Sequence, residues 1–242
     1  MRRAAVAAQT RAETILQLRR GENLVVTLAI PLGVLVFFAK VDAITTDFAD
    51  PVDFLVPGVL SLAVMASAMV SLGIATGFER RYGVLKRLGS TPLSRGGLLL
   101  AKTATVLAFE LVQIVLVVLV AMAIGWEVPG GVFAAVGLLL LGTIAFAGIG
   151  MLMAGTLRAE ANLAAANGLF LVLLFLGGMA YPLEKLPEGL EAFAKLLPAV
   201  ALSETVRGVL TPESFPVGEL VVLVAWAIAM PLLAARYFRW EE

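Results

Sequence analysis

The sequence predicts an all-α polytopic membrane protein with six transmembrane helices and both ends on the inner side. Three observations predict it. The chain is 60% hydrophobic and 15% charged, with a mean hydropathy of +0.97, whereas a soluble domain averages about 25% charged residues. Its apolar residues gather in six long runs that do not alternate in polarity, which suits membrane helices and not the strands of a barrel. Its basic residues are sorted to one side of those runs, as the positive-inside rule requires.

Residues 1–22 come first and are polar, with no apolar centre, so they do not read as a signal peptide. Ala5, Ala8, Ala12, Ile15 and Leu16 share one side of a helix, with Glu13 and Gln17 opposite and arginines flanking. This pattern predicts an amphipathic interfacial helix on the inner leaflet; the alternative is a basic tail that only sets topology.

A membrane helix needs about 20 apolar residues. The six runs are 24–39, 54–78, 98–124, 132–157, 163–181 and 220–238. The first is short and contains Pro31, and it is extended by Glu22 and Asn23 below and by a snorkelling Lys40 above. With the N-terminus inside, Arg2, Arg3, Arg11, Arg19, Arg20, Arg80, Arg81, Lys86, Arg87, Arg95, Lys102, Arg158, Arg236 and Arg239 all fall inside. Lys40, Lys185, Lys195 and Arg207 fall outside, beside the acidic Asp42, Asp47, Asp50 and Asp53. No internal repeat is evident, so the inverted-repeat architecture of many secondary carriers has no support.

Composition also excludes chemistry. The net charge is zero, which gives no global basic field for nucleic acid. There is no Cys and no His, which removes disulfides, thiolate nucleophiles, the commonest metal ligand and the commonest general base.

The inner loop 79–95 carries the most informative pattern. Tyr82, Leu85 and Leu88 recur every third residue among basic neighbours, which predicts a short helix with an apolar stripe. Pro92 takes Thr91 out of helical geometry, and Ser94 caps the next span. Such a helix either rests on headgroups or docks into a groove of a soluble partner.

The run Glu79-Arg80-Arg81-x-Gly83-x-Leu85-Lys86-Arg87-Leu88-x-x-Thr91-Pro92-Leu93-Ser94 resembles the coupling-helix region of ABC-2 type transporter permeases. The resemblance continues in Gly177-Gly178-Met179-Ala180-Tyr181-Pro182-Leu183-Glu184-Lys185-Leu186-Pro187, then Leu196-Leu197-Pro198, then Glu204-Thr205-Val206-Arg207-Gly208. It implies a single ABC-2 type transmembrane domain over 1–242 that serves as the permease subunit of an ATP-driven exporter in a prokaryotic inner or plasma membrane. The cargo class it implies is hydrophobic or amphipathic: a drug, a lipid or a glycan precursor.

The resemblance also implies that this chain is not the enzyme. ATP and Mg would be handled by a separate ABC ATPase subunit, and this chain has no phosphate-loop motif. Two copies, or this chain with a related permease, would flank the path. Glu79, Arg81, Tyr82, Leu85, Lys86, Leu88, Thr91 and Pro92 would couple to the ATPase. Gly177, Gly178, Pro182, Pro187, Pro198 and Arg207 would belong to an outer re-entrant motif. In the family, the outer segment 182–216 forms two short helices dipping into the outer leaflet; its apolar spacing alone fits an ordinary amphipathic surface helix as well.

Glu110 lies near the middle of the third span with Gln113 one turn on. A central carboxylate costs roughly 2.5–3.5 kcal/mol on insertion scales, so it must be neutral, paired, or facing a wet cavity. Glu110, Gln113 and Asn167 are the candidates for a translocation path; the plainer alternative is hydrogen bonding between spans, which also fits Asn162. The glycines of the fourth span, Gly137, Gly142, Gly148, Gly150 and Gly155, read as helix packing. A stand-alone proton-coupled carrier or channel using Glu110 is the rival function, and a membrane enzyme has little to stand on.

Overall fold

The computed structural model describes residues 2–19, 21–40, 51–179, 182–211 and 214–241. The acidic loop residues Asp42, Asp47 and Asp50 and the Ala180-Tyr181 step lie outside the described residues. Every regular element among the described residues is helical.

The helices are α1 (Arg2–Arg19), α2 (Gly21–Lys40), α3 (Pro51–Val64, continuing through a π-helical stretch Met65–Ser71 into Leu72–Arg81), α4 (Val84–Gly89) and α5 (Arg95–Ala123). They continue as α6 (Val132–Thr156), α7 (Ala159–Leu176), α8 (Glu188–Ala194), α9 (Pro198–Leu210) and α10 (Val217–Tyr237). The chain is an all-α polytopic membrane protein. Among the described residues, five helices are long and apolar enough to cross a membrane: Val52–Arg81, Arg95–Ala123, Val132–Thr156, Ala159–Leu176 and Val217–Tyr237. The described apolar part of α2, Thr27–Lys40, is shorter.

Helix α6 stands at the centre, and its glycines explain why. A Cβ on Gly150 would meet the Met69 carbonyl oxygen at 2.6 Å, one on Gly148 the backbone nitrogen of Pro231 at 2.6 Å, and one on Gly142 the Leu202 methyls at 2.7 Å. Helices α3, α10 and α9 therefore press directly onto the α6 backbone, the close approach that small residues permit in lipid. Gly137 has open space and takes no part. The α3 contact falls on the π-helical stretch. Across it, Asn162 of α7 donates from Nδ2 to the Gly73 carbonyl at 2.9 Å while fully buried, so this asparagine is a cross-helix tie.

Helix α1 packs on α5. Val6 touches the face of Gly97, and Thr105 donates to the Thr10 carbonyl at 3.4 Å. The side turned to the protein is the polar one carrying Glu13 and Gln17, while Ile15, Leu16 and Leu18 are exposed. The amphipathic helix is present, with its apolar side facing away from the bundle.

Candidate functional site

One end of the bundle carries α4 and its flanking turns. Helix α3 runs on to Arg81, one turn beyond the predicted end of its span. Gly83, at φ +73°, then breaks the helix, and α4 follows with only six residues. The left-handed conformation there favours glycine. Gly89 ends α4, and Thr91 and Pro92 form the turn before Leu93 and the Ser94 cap, whose Oγ accepts from the Gly97 N–H at 3.1 Å.

This break corrects the predicted docking stripe. Period-three spacing through Tyr82, Leu85 and Leu88 assumes one continuous helix. With Gly83 between them, Leu85 is fully buried within its own chain, Leu88 packs against the core, and Tyr82 is 72% exposed. Val84 and Arg87 are exposed beside it. The polar residues of the motif are engaged internally. Glu79 is turned to Lys102, Arg81 pairs with Glu160, and Lys86 reaches Glu241 at 3.2 Å. Trp240 covers Gly89, where an added Cβ would stand 3.2 Å from the indole. The C-terminal tail thus braces α4.

Sequence reasoning missed the centre of this end. Lys102, counted among the inner basic residues, is 2% exposed. Its Nζ lies 2.9 Å from Glu13 of α1 and 2.7 Å from Glu79 of α3. One ammonium therefore ties three helices. The signal was a lysine inside an apolar span, where an unpaired charge is costly.

Above this triad lies a cavity of about 330 Å³ between α1, α2, α3 and α5. Its wall includes Glu13, Glu79 and Lys102 at one end and Glu110 and Gln113 farther along α5, with Ser67 and Ser71 from the π-helical stretch. The Gln113 Nε2 donates to the Thr27 carbonyl at 2.9 Å. Glu110 is 1% exposed; its Oε2 accepts from the Thr143 hydroxyl, while its Oε1 is buried with no hydrogen-bond partner. A second, mostly apolar cavity of about 550 Å³ adjoins it, sharing Thr27, Ser71 and Ala75 and reaching Asn167 and Pro31. The three path candidates thus line two adjoining cavities. Asn167 also donates from Nδ2 to the Leu163 carbonyl at 2.8 Å.

The opposite end gathers the outer motif. Gly178 turns the chain at φ +65° after α7. The buried Arg207 of α9 donates from Nη2 to the Gly178 carbonyl at 2.7 Å, pairs with Glu204, and stacks its guanidinium 4.3 Å over Phe54. Ser203 donates to the Gly177 carbonyl at 2.5 Å. Pro182 and Pro187 precede short helical turns, and Pro198 opens α9 at its first turn, where a missing N–H costs nothing. Helix α9 is buried along most of its length.

The family described as ABC-2 type transporter matches residues 5–211. The chain belongs to that family. It is therefore a membrane permease component of an ABC transporter and not itself the catalytic part, and membership implies association with an ABC ATPase subunit. The matched range runs from α1 through α9, so it includes α4, the lysine triad, both cavities and the Arg207 cluster of this permease. No curated protein matches the chain.

Proposed function

We propose that this permease is the membrane half of an ATP-driven exporter, with six spans, both termini in the cytoplasm, and ATP and Mg held by a separate ATPase. The observation that carries the reading is the exposed knob at the start of α4, Tyr82 with Val84 and Arg87, mounted on a braced platform at the arginine-rich end. Leu85, Trp240 and the Lys86–Glu241 pair hold α4 to the chain's own body, so force on the knob is transmitted to α3 and α5 instead of being lost in a loose loop. Two copies, or this chain with a related permease, flank the path. The cargo is hydrophobic or amphipathic, in keeping with the mixed lining of the first cavity and the mostly apolar lining of the second, and it moves outward.

The test is co-purification with the cognate ATPase, followed by a screen for substrate-stimulated hydrolysis. Association and stimulated hydrolysis are expected, with transport that vanadate stops. Transport that persists without the ATPase and stops with a protonophore would instead establish the stand-alone carrier.

A further inference from the structure

We propose that the cavity between α1, α2, α3 and α5 binds a hydrophobic ammonium compound, its cation against the Glu110 carboxyl group and its hydrocarbon toward α1. Charge balance carries the sign. Among the described residues the charged groups of the wall are Glu13, Glu79, Glu110 and Lys102, and the one base among them is already shared by two acids. Among the described residues of the wall, no cation is left over for an anionic ligand. A carboxyl oxygen of Glu110, buried and without a protein partner, lacks a donor. A buried acceptor left unmet is costly, and an ammonium meets it with a charge-assisted hydrogen bond, roughly twice as strong as a neutral one.

Shape supports the same ligand. The cavity extends about 12 Å along α5 from Lys102 to Glu110, at ~1.5 Å per residue. Leu28, Leu72 and Val106 line it for a hydrocarbon chain, and Phe109 offers an aromatic ring to a cation. Leu16 and Leu18 of α1 belong both to the wall and to the exposed apolar side of that helix, at 50% and 58% exposure. These two leucines give a tail apolar surface both inside the cavity and on the outer side of α1. Transport of the bound compound rests on the permease reading, but binding itself needs no ATPase.

The probe is radiolabelled decylamine, with decanol and decanoate as neutral and anionic partners of the same chain length, measured at equilibrium on the full chain in nanodiscs against empty nanodiscs. Saturable binding above the empty discs is expected for decylamine alone. Glu110→Gln should weaken it tenfold or more, and Glu219→Gln, outside the cavity wall, should not. Ala75→Leu fills the cavity from its wall while leaving Glu110 in the sequence and should also abolish saturable binding, which keeps the test decisive if Glu110→Gln fails to fold. Equal saturable binding of decanol, stronger binding of decanoate, or undiminished binding by Ala75→Leu would overturn the proposal. Co-purification of the ATPase with the same wild-type protein reads the permease assignment separately, so either can fail while the other stands.

Discussion

Leu85 is enclosed by its own chain, while Tyr82, three residues before it, presents 72% of its surface to solvent. The Gly83 kink between them separates anchoring from docking. Tyr82→Asp should therefore weaken ATPase capture in a pull-down by tenfold or more while leaving the thermal midpoint in detergent unchanged. Leu85→Ala should do the converse, costing about 2–5 kcal/mol of stability through the cavity it leaves. Loss of midpoint with Tyr82→Asp would show the tyrosine to be structural.

The Lys102 triad should respond steeply to loss of its base. Lys102→Met leaves the Glu13 and Glu79 carboxylates facing each other with no cation between them. Removing one partner of a buried ion pair typically costs about 3–5 kcal/mol. Thermal unfolding in nanodiscs measures it, and the triple replacement Glu13→Gln, Lys102→Met, Glu79→Gln should recover a large part of the loss. A Lys102→Met protein as stable as wild type would show that the triad contributes nothing.

Glu110→Gln should insert and unfold as wild type does, because the amide offers the same shape to the Thr143 hydroxyl. Thr143→Val removes that donor and leaves the buried carboxyl group alone, at a cost of about 1–3 kcal/mol. Loss of expression with Glu110→Gln would contradict this.

Gly150→Ala puts a methyl group where the Met69 carbonyl already stands. Overpacking of this kind costs about 1–3 kcal/mol, whereas Gly137→Ala, in open space, should be silent or slightly stabilising. A thermal melt of the pair decides.

Orientation is tested with single cysteines, since the chain has none of its own. Ser90→Cys should resist an impermeant thiol reagent in intact cells, and Glu188→Cys should react. Labelling at position 90 from outside would invert the topology.

Long apolar helices were legible because lipid imposes long apolar runs: residues 132–157 were expected, and Val132–Thr156 is found, while the first run, 24–39, meets an apolar helical part, Thr27–Lys40, shorter than the five long helices among the described residues. The small residues of α6 were legible for the same reason, since close backbone approach needs them. The facing of α1 was not. In water an apolar stripe marks the buried side, but beside lipid the same stripe faces outward and the polar side meets the protein, so Glu13 rather than Ile15 turns inward. The docking face failed for a local reason: one glycine at positive φ resets the helical phase, and spacing alone cannot show that. Glu110 was legible as a buried carboxyl group, whereas its partner Thr143 lies on another span and no periodicity links the two.

The Lys102 triad also constrains the order in which the protein can be made. Glu13 leaves the ribosome first, Glu79 later, and Lys102 last, and chains generally fold N-terminal parts first during synthesis. When the third span enters the membrane, its lysine must already have a counter-charge nearby or suffer the cost of a lone ion in lipid. Glu79, just across the α4 hairpin, arrives with it and supplies that charge during insertion. Glu13, made earlier still, supplies the second carboxylate, so both counter-charges precede in the chain the ammonium that they hold.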